Sequence, residues 1–213
     1  MDPAATFDPQ QLHAEGWQGG WLRTLVASER GRQPGLVIKV GGSLLSRSDW
    51  PERLLGLVTA IRCRPLRLVV GGGPVVDGLR RLDEACAQPA ARMHRLAIHG
   101  MAVTARLVAE SLGLPLLDHP ASNATCGLVD PVAALTQGLL SELPSSWDVT
   151  SDSIAAAIAT QGQHSLLLVK QVPPPTAPPP LLMATATQAG WLDPFFERAA
   201  ASLDGVAWVA PIR

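Results

Sequence analysis

Apolar residues in this chain fall into short unbroken runs separated by amphipathic stretches. The run Leu36-Val37-Ile38-Lys39-Val40 is β-branched and apolar but for one lysine, and it ends at Gly41-Gly42-Ser43. That pattern predicts a buried strand, a glycine turn and then a helix. Leu54, Leu55, Val58 and Ile61 give this helix its buried stripe, and Asp49 with Glu52 forms its capping box. Leu66 to Val70 repeats the plan. It ends in Gly71-Gly72-Gly73-Pro74, and Val75, Leu79, Leu82 and Cys86 follow at helical spacing as a core-facing stripe. A long helix is predicted over 90–112 on the stripe of Met93, Ala97, Met101, Ala105, Val108 and Leu112, with Gly113 as its C-terminal cap. His94, Arg95 and His99 lie off that stripe. They read most simply as exposed polar residues, with His94 or Arg95 in reach of a substrate phosphate as the other reading.

Further along, the pattern gives a short strand at 114–117, a weak helix at 132–140, a helix around Ile154 to Ala159, and a strand over Ser165 to Val169 that ends at Lys170. A helix at 194–203 and a strand at 206–209 close the chain. Near the N-terminus Trp17, Trp21, Leu22, Leu25 and Val26 predict a short amphipathic helix, interrupted by Gly16, Gly19 and Gly20. Alternating strands and helices predict the α/β class: an open, mostly parallel sheet with helices on both faces, an α/β/α sandwich. Residues 1–33 read as an N-terminal extension of unclear role, and 34–213 as a single domain. The prolines of 173–180 read as a stiff extended loop.

Composition narrows the function. A net charge of −1 gives no electrostatic case for nucleic acid or an anionic membrane, and 47% apolar content is ample for a core. No apolar run reaches the length of a membrane span, and the N-terminus lacks the basic and apolar regions of a signal peptide. Cys63, Cys86 and Cys126 are odd in number and far apart, as expected of reduced thiols in a cytoplasmic protein. No metal-ligating cluster is legible.

The chemistry sits at the glycine turns. Glycine lets backbone N–H groups close on an anion, and the helix behind each turn adds its positive end. Lys39 aims a fixed charge at the same place. For that stretch alone, a tight turn beside a surface lysine is the plainer alternative. Two such turns at neighbouring strand ends would hold two phosphates face to face, as phosphoryl transfer requires. Neither is a P-loop or a dinucleotide fingerprint. A third polar stretch, Asp148-Val149-Thr150-Ser151-Asp152-Ser153, opens a helix with more polar groups than capping needs.

These three motifs in this order resemble the amino acid kinase superfamily over about residues 35–172. Met93 to Ile98, Trp147 to Ala155 and Gly190-Trp191-Leu192-Asp193-Pro194 look more narrowly like the short kinase of methanofuran synthesis and its bacterial homologues, which phosphorylates an aminomethylfuran-methyl phosphate to the diphosphate. The resemblance implies an ATP- and Mg²⁺-dependent kinase. Lys39 and Asp152 would be catalytic. Gly41, Gly42, Ser43 and Lys170 would hold the nucleotide. Gly71, Gly72, Gly73, Asp148, Thr150 and Ser151 would hold a small phosphate substrate. It also implies a homodimer or larger homo-oligomer, for which the long helix and its Met93, Ala97, Met101 and Ala105 stripe supply a surface. Two departures stand out. Gln171-Val172-Pro173-Pro174 replaces the family's Asp-Val-Asp-Gly-Val-type loop, and no lysine follows Lys170 where the family carries its second one. A catalytically weak or inactive, phosphate-binding regulatory member of the same fold is the alternative reading.

Overall fold

The computed structural model describes residues 7–24, 35–61, 65–174, 182–203 and 205–212. Seven strands form one sheet: β1 (Trp17–Thr24), β2 (Leu36–Val40), β3 (Leu66–Val70), β4 (Leu116–Leu117), β5 (Cys126–Val129), β6 (Ser165–Val169) and β7 (Gly205–Pro211). Their spatial order is β1-β7-β6-β2-β3-β5-β4, with every neighbouring pair parallel except β1 and β7. The α/β sandwich expected from the sequence is therefore the observed fold.

Among the described residues the helices are α1 (Trp50–Ala60), α2 (Gly73–Ala85), α3 (Ala90–Leu112), α4 (Pro131–Thr136), α5 (Ser151–Gly162), α6 (Leu182–Gln188) and α7 (Phe196–Ala199). None is long and apolar enough to cross a membrane. Strand residues alternate between two cores. Val37, Val69, Leu166, Leu168, Val206 and Trp208 pack toward α5, α6 and α7. Ile38, Leu68, Leu167, Val169 and Val209 pack on the other face with α1 and the 3-10 turn Pro9–Glu15. The period of two therefore puts Lys39 on the α5 face beside Val37, which decides what it meets.

Several expectations fail for identifiable reasons. Residues 17–24 form strand β1, not a helix, paired antiparallel with β7 across a register shift between Trp21 and Arg23. Gly19 permits that pairing, because a Cβ there would lie 1.9 Å from Trp208 O. The predicted residues Leu25 and Val26, Cys63, and prolines 175 and 178–180 lie outside the described residues. Strand β5 was not legible, being four residues long with a glycine inside it. Asp49 precedes α1 but makes no capping bond. Its carboxylate pairs instead with Arg47 at 2.7 Å and Arg53 at 2.6 Å. In α2 the phase is wrong: Val76 is buried, while Val75, Leu82 and Cys86 are exposed. Segment 194–203 shortens to α7, and α6 was not anticipated.

Candidate active site

The carboxyl ends of β6, β2 and β3 lie side by side; β2 and β3 carry the two glycine turns and β6 carries Lys170. Gly41 N–H donates to Val169 O at 2.8 Å, and Gly71 N–H donates to Val40 O at 2.8 Å. These bonds stitch the two glycine turns and the start of Lys170 into one ledge. The turns touch directly. A Cβ on Gly42 would lie 2.2 Å from Gly73 N, and one on Gly73, where φ is +48°, would lie 2.5 Å from Gly42 O. Only glycine fits at either position. Behind the first turn Gly42–Ser46 is a 3-10 turn rather than the start of an α-helix. Its leading N–H groups have no partner inside the turn and remain available to an anion.

Asp152 stands in the first turn of α5 and is 4% exposed. Lys39 Nζ lies 2.7 Å from its Oδ1, a close charge contact off the hydrogen-bond axis. Lys170 Nζ donates to Oδ2 at 2.6 Å and to Trp191 O at 2.7 Å, and lies 5.5 Å from the Trp208 ring centre. These are the only two lysines in the chain. Both converge on one buried carboxylate from the ends of adjacent strands.

The charges are finely balanced. Burial opposes ionisation of Asp152 most strongly, yet Lys39 and then Lys170 outweigh it and hold the carboxyl below its ordinary pKa. Lys170 moves down to about 8, because burial and the nearby Lys39 charge exceed the help from Asp152. The cluster carries a net positive charge, as a seat for phosphate requires.

The polar crowd before α5 has a second organiser, Asp193, which sequence reasoning did not single out as a site residue. Its Oδ2 accepts from Thr150 N at 3.0 Å, Thr150 Oγ1 at 2.9 Å and Ser153 N at 3.0 Å. Its Oδ1 accepts from Ser153 Oγ at 2.5 Å and Phe195 N at 3.2 Å. Thr150 Oγ1 in turn accepts from Asp152 N at 3.4 Å. Thr150 is thus committed to holding the helix end. A signal existed in Gly190 to Pro194, where an aspartate precedes a proline at a turn. Asp193→Ala is expected to destabilise the fold by about 2–3 kcal/mol, since several buried donors lose their acceptor together. A denaturation midpoint equal to wild type would contradict that account.

On the other side of the glycine ledge lies a cavity of about 240 Å³. Gly42, Ser43, Gly71, Gly72 and Gly73 line it, together with Thr150 and Ser151. Arg80 and Trp147 also line it and were not predicted there, as does His94, for which a place near the substrate was the second reading. Asp77 borders it too, because α2 starts at the glycine turn and its first turns face the sheet end. Trp147 Nε1–H donates to Asp83 at 2.8 Å, and the Arg80 guanidinium lies 5.1 Å from its ring centre. Asp148 does not line the cavity. It is exposed, and its carboxylate accepts from Ser146 Oγ at 3.4 Å.

Sequence comparison matches residues 35–174 to the Amino acid kinase family. That interval runs from just before Lys39 to just after Lys170. The chain belongs to the amino acid kinase family. It is a kinase, an enzyme of phosphoryl transfer. Solved structures that share the fold include two kinases. Uridylate kinase from Archaeoglobus fulgidus superposes with a TM-score of 0.55 at 15% identity, covering 83% of this chain and 90% of that one. Aspartate kinase from Synechocystis gives 0.51 at 17% identity, covering 84% of this chain and 40% of that one. A comparison with curated protein sequences gives no match.

Proposed function

We propose that this kinase transfers the γ-phosphoryl group of ATP to a small phosphate monoester. The observation that carries the reading is the convergence of Lys39 and Lys170 on Asp152 beside the glycine ledge, with a half-open cavity on the far side. The nucleotide phosphates would lie against Gly41, Gly42 and Ser43 and both ammonium groups. The acceptor phosphate would lie against Gly71, Gly72 and Gly73, with the Ser151 hydroxyl and Arg80 at hand. An aminomethylfuran-methyl phosphate is the specific acceptor supported by the resemblance at 93–98, 147–155 and 190–194.

The chain's own groups define the mechanism. A phosphate acceptor is already an anion, so no side chain need remove a proton. One P–O bond to the nucleotide breaks as one P–O bond to the acceptor forms. Charge on the moving phosphoryl group is offset by Lys39 and Lys170, which Asp152 holds in place. The residues do not fit a protein-held metal. No metal-holding group gathers among the described residues, and Asp152 is taken by both lysines. Mg²⁺ would therefore arrive on the nucleotide's phosphates.

Incubation with ATP, Mg²⁺ and a panel of monophosphates tests the reading. ADP formed in proportion to one new diphosphate product is expected. Tight ATP binding with no product across the panel would favour the regulatory alternative.

Lys170 answers for the family's second lysine in this reading, and its charge makes a pH signature. The protonated ammonium is the active form, and its fraction falls above about pH 8. kcat/KM for ATP should therefore decline with pH above about 8, because that ratio reports the free enzyme. In the nucleotide complex added negative charge favours the ammonium, so the limb in kcat should lie higher. Lys170→Arg should remove the limb, since guanidinium stays charged. Lys170→Met should lower kcat/KM at least roughly tenfold, about 1.4 kcal/mol. An unchanged profile in Lys170→Arg would exclude Lys170 as its source.

We also propose a homodimer, but through a different surface from the one the sequence pointed to. Met93, Met101 and Ala105 are buried in their own chain. Leu96, Val103 and Leu107 instead form an exposed apolar stripe along α3, at 42%, 60% and 50% exposure. Arg92 and Arg95 stand at one end of the helix and Glu110 near the other, so an antiparallel pairing of two copies brings opposite charges together. Light scattering should report a dimer at micromolar concentration and a monomer for Val103→Glu. A monomeric wild type would rule the pairing out.

A further inference from the structure

Besides Asp77, whose carboxylate is paired with Arg80, the cavity carries a polar edge that holding a phosphate leaves unused. His94 on α3 is 5% exposed and forms part of the cavity wall. Its Nδ1 lies 3.1 Å from Ser146 O. A carbonyl oxygen can only accept, so Nδ1 carries the ring proton. Burial disfavours the imidazolium more than the bond to Ser146 favours it, which leaves the ring neutral and Nε2 with a lone pair. Nε2 has no hydrogen-bond partner among the described residues, and it is not sealed from solvent. The ring to which it belongs lines the cavity.

The surroundings sharpen its role. Ile98, Met101 and Val76 make much of the remaining wall apolar. An acceptor atom in such a wall pairs with a ligand that brings a donor, and loses its water to one that brings a methyl group. Sites that pair a ligand's OH or NH reject the analogue lacking it far more strongly than apolar pockets reject an extra methylene. The phosphate end of a ligand is already served by the glycine turns and Arg80.

We infer that His94 is a specificity-determining residue, and that the phosphate monoester accepted here carries, away from its phosphate, a hydroxyl, ammonium or amide N–H that donates to His94 Nε2. This rests on the phosphate-acceptor reading above.

Binding measurements on the full chain test it without requiring turnover. The probes are three matched series of alkyl phosphates, ending in an amine, a hydroxyl or a methyl group, at chain lengths of two to six carbons, with inorganic phosphate as reference. At the best length, a donor-bearing probe should bind wild type at least tenfold more tightly than its methyl analogue. His94→Leu should abolish that preference, and His94→Gln, which keeps an acceptor oxygen, should retain part of it. Inorganic phosphate should bind all three proteins equally. Equal binding of methyl and donor probes to wild type would overturn the inference. So would a preference that survives His94→Leu, or weaker inorganic phosphate binding in that variant, since the ring would then serve the phosphate. Should either variant fail to fold, nitrogen NMR of the wild-type ring decides. The Nε2 resonance should move with the donor probe and stay fixed with the methyl one, and no movement with either would overturn the inference. If ATP binds and no monoester or inorganic phosphate does, the phosphate-acceptor reading itself fails and takes this inference with it.

Discussion

Replacing Asp152 by asparagine should lower stability by about 3–5 kcal/mol and reduce kcat together with it. Removing one partner of a buried ion pair leaves the other charges uncompensated, and that loss exceeds what the intact pair contributes. Here two ammonium groups would be left, 5% and 11% exposed, facing one neutral amide. Lys170 would give up its proton more readily still, since Asp152 is the charge that opposes its downward shift. Part of the lost stability should return at alkaline pH, as one amine becomes neutral in the folded state before it does in the unfolded chain. Activity should not return, because the neutral amine cannot offset phosphate charge. Urea denaturation and steady-state kinetics measured in parallel distinguish these effects. A variant as stable as wild type would mean that the cluster is wetter than its burial indicates.

Lys39→Met is the second large effect, and it should fall on rate. Lys39 projects from the middle strand of the three that build the ledge, and its burial fixes its position in advance. Removing one preorganised charge from a site of phosphoryl transfer is worth on the order of 2–4 kcal/mol in the transition state. kcat should therefore fall by roughly thirty- to a thousandfold, with a smaller change in ATP affinity. Folding should survive, because methionine fills the same channel and Asp152 keeps Lys170. If KM for ATP rises while kcat holds, Lys39 acts in ground-state binding alone.

The elements that proved legible are those whose signals are local. Strands 36–40 and 66–70 were readable because each is an apolar run stopped by glycines, and the alternating plan of the sheet followed from them. Asp152 was readable because a helix start with surplus polar groups is local too. Its pairing with Lys170 was not, since it depends on β6 lying beside β2, a fact of topology. Strand β1 was hidden by Gly19 and Gly20, which weaken any periodicity although they make the pairing with β7 possible. In α2 the adjacent valines Val75 and Val76 left the phase ambiguous, and the wrong one was taken as inward. His94 read as an exposed polar residue because its cover, Ser146, comes from a loop 52 residues away. Asp193 stands out in the sequence only as part of the Gly190 to Pro194 motif, since its partners lie 40 to 43 residues earlier.

The chain has two lysines and fifteen arginines, and this has a practical consequence for chemical labelling. Ordinary proteins scatter primary amines over their surface, so acylating reagents modify them broadly. Here the only side-chain amines sit at the glycine ledge, and one of them has a pKa of about 8. A neutral amine is the nucleophilic form, so at a pH where a surface lysine is almost wholly protonated Lys170 should carry the larger neutral fraction, with its 11% exposure setting how fast a reagent reaches it. Apart from the terminal α-amine, a mild acylating reagent therefore becomes a probe of this one position. Its rate of incorporation, read by mass, would report nucleotide occupancy directly in an unmodified chain.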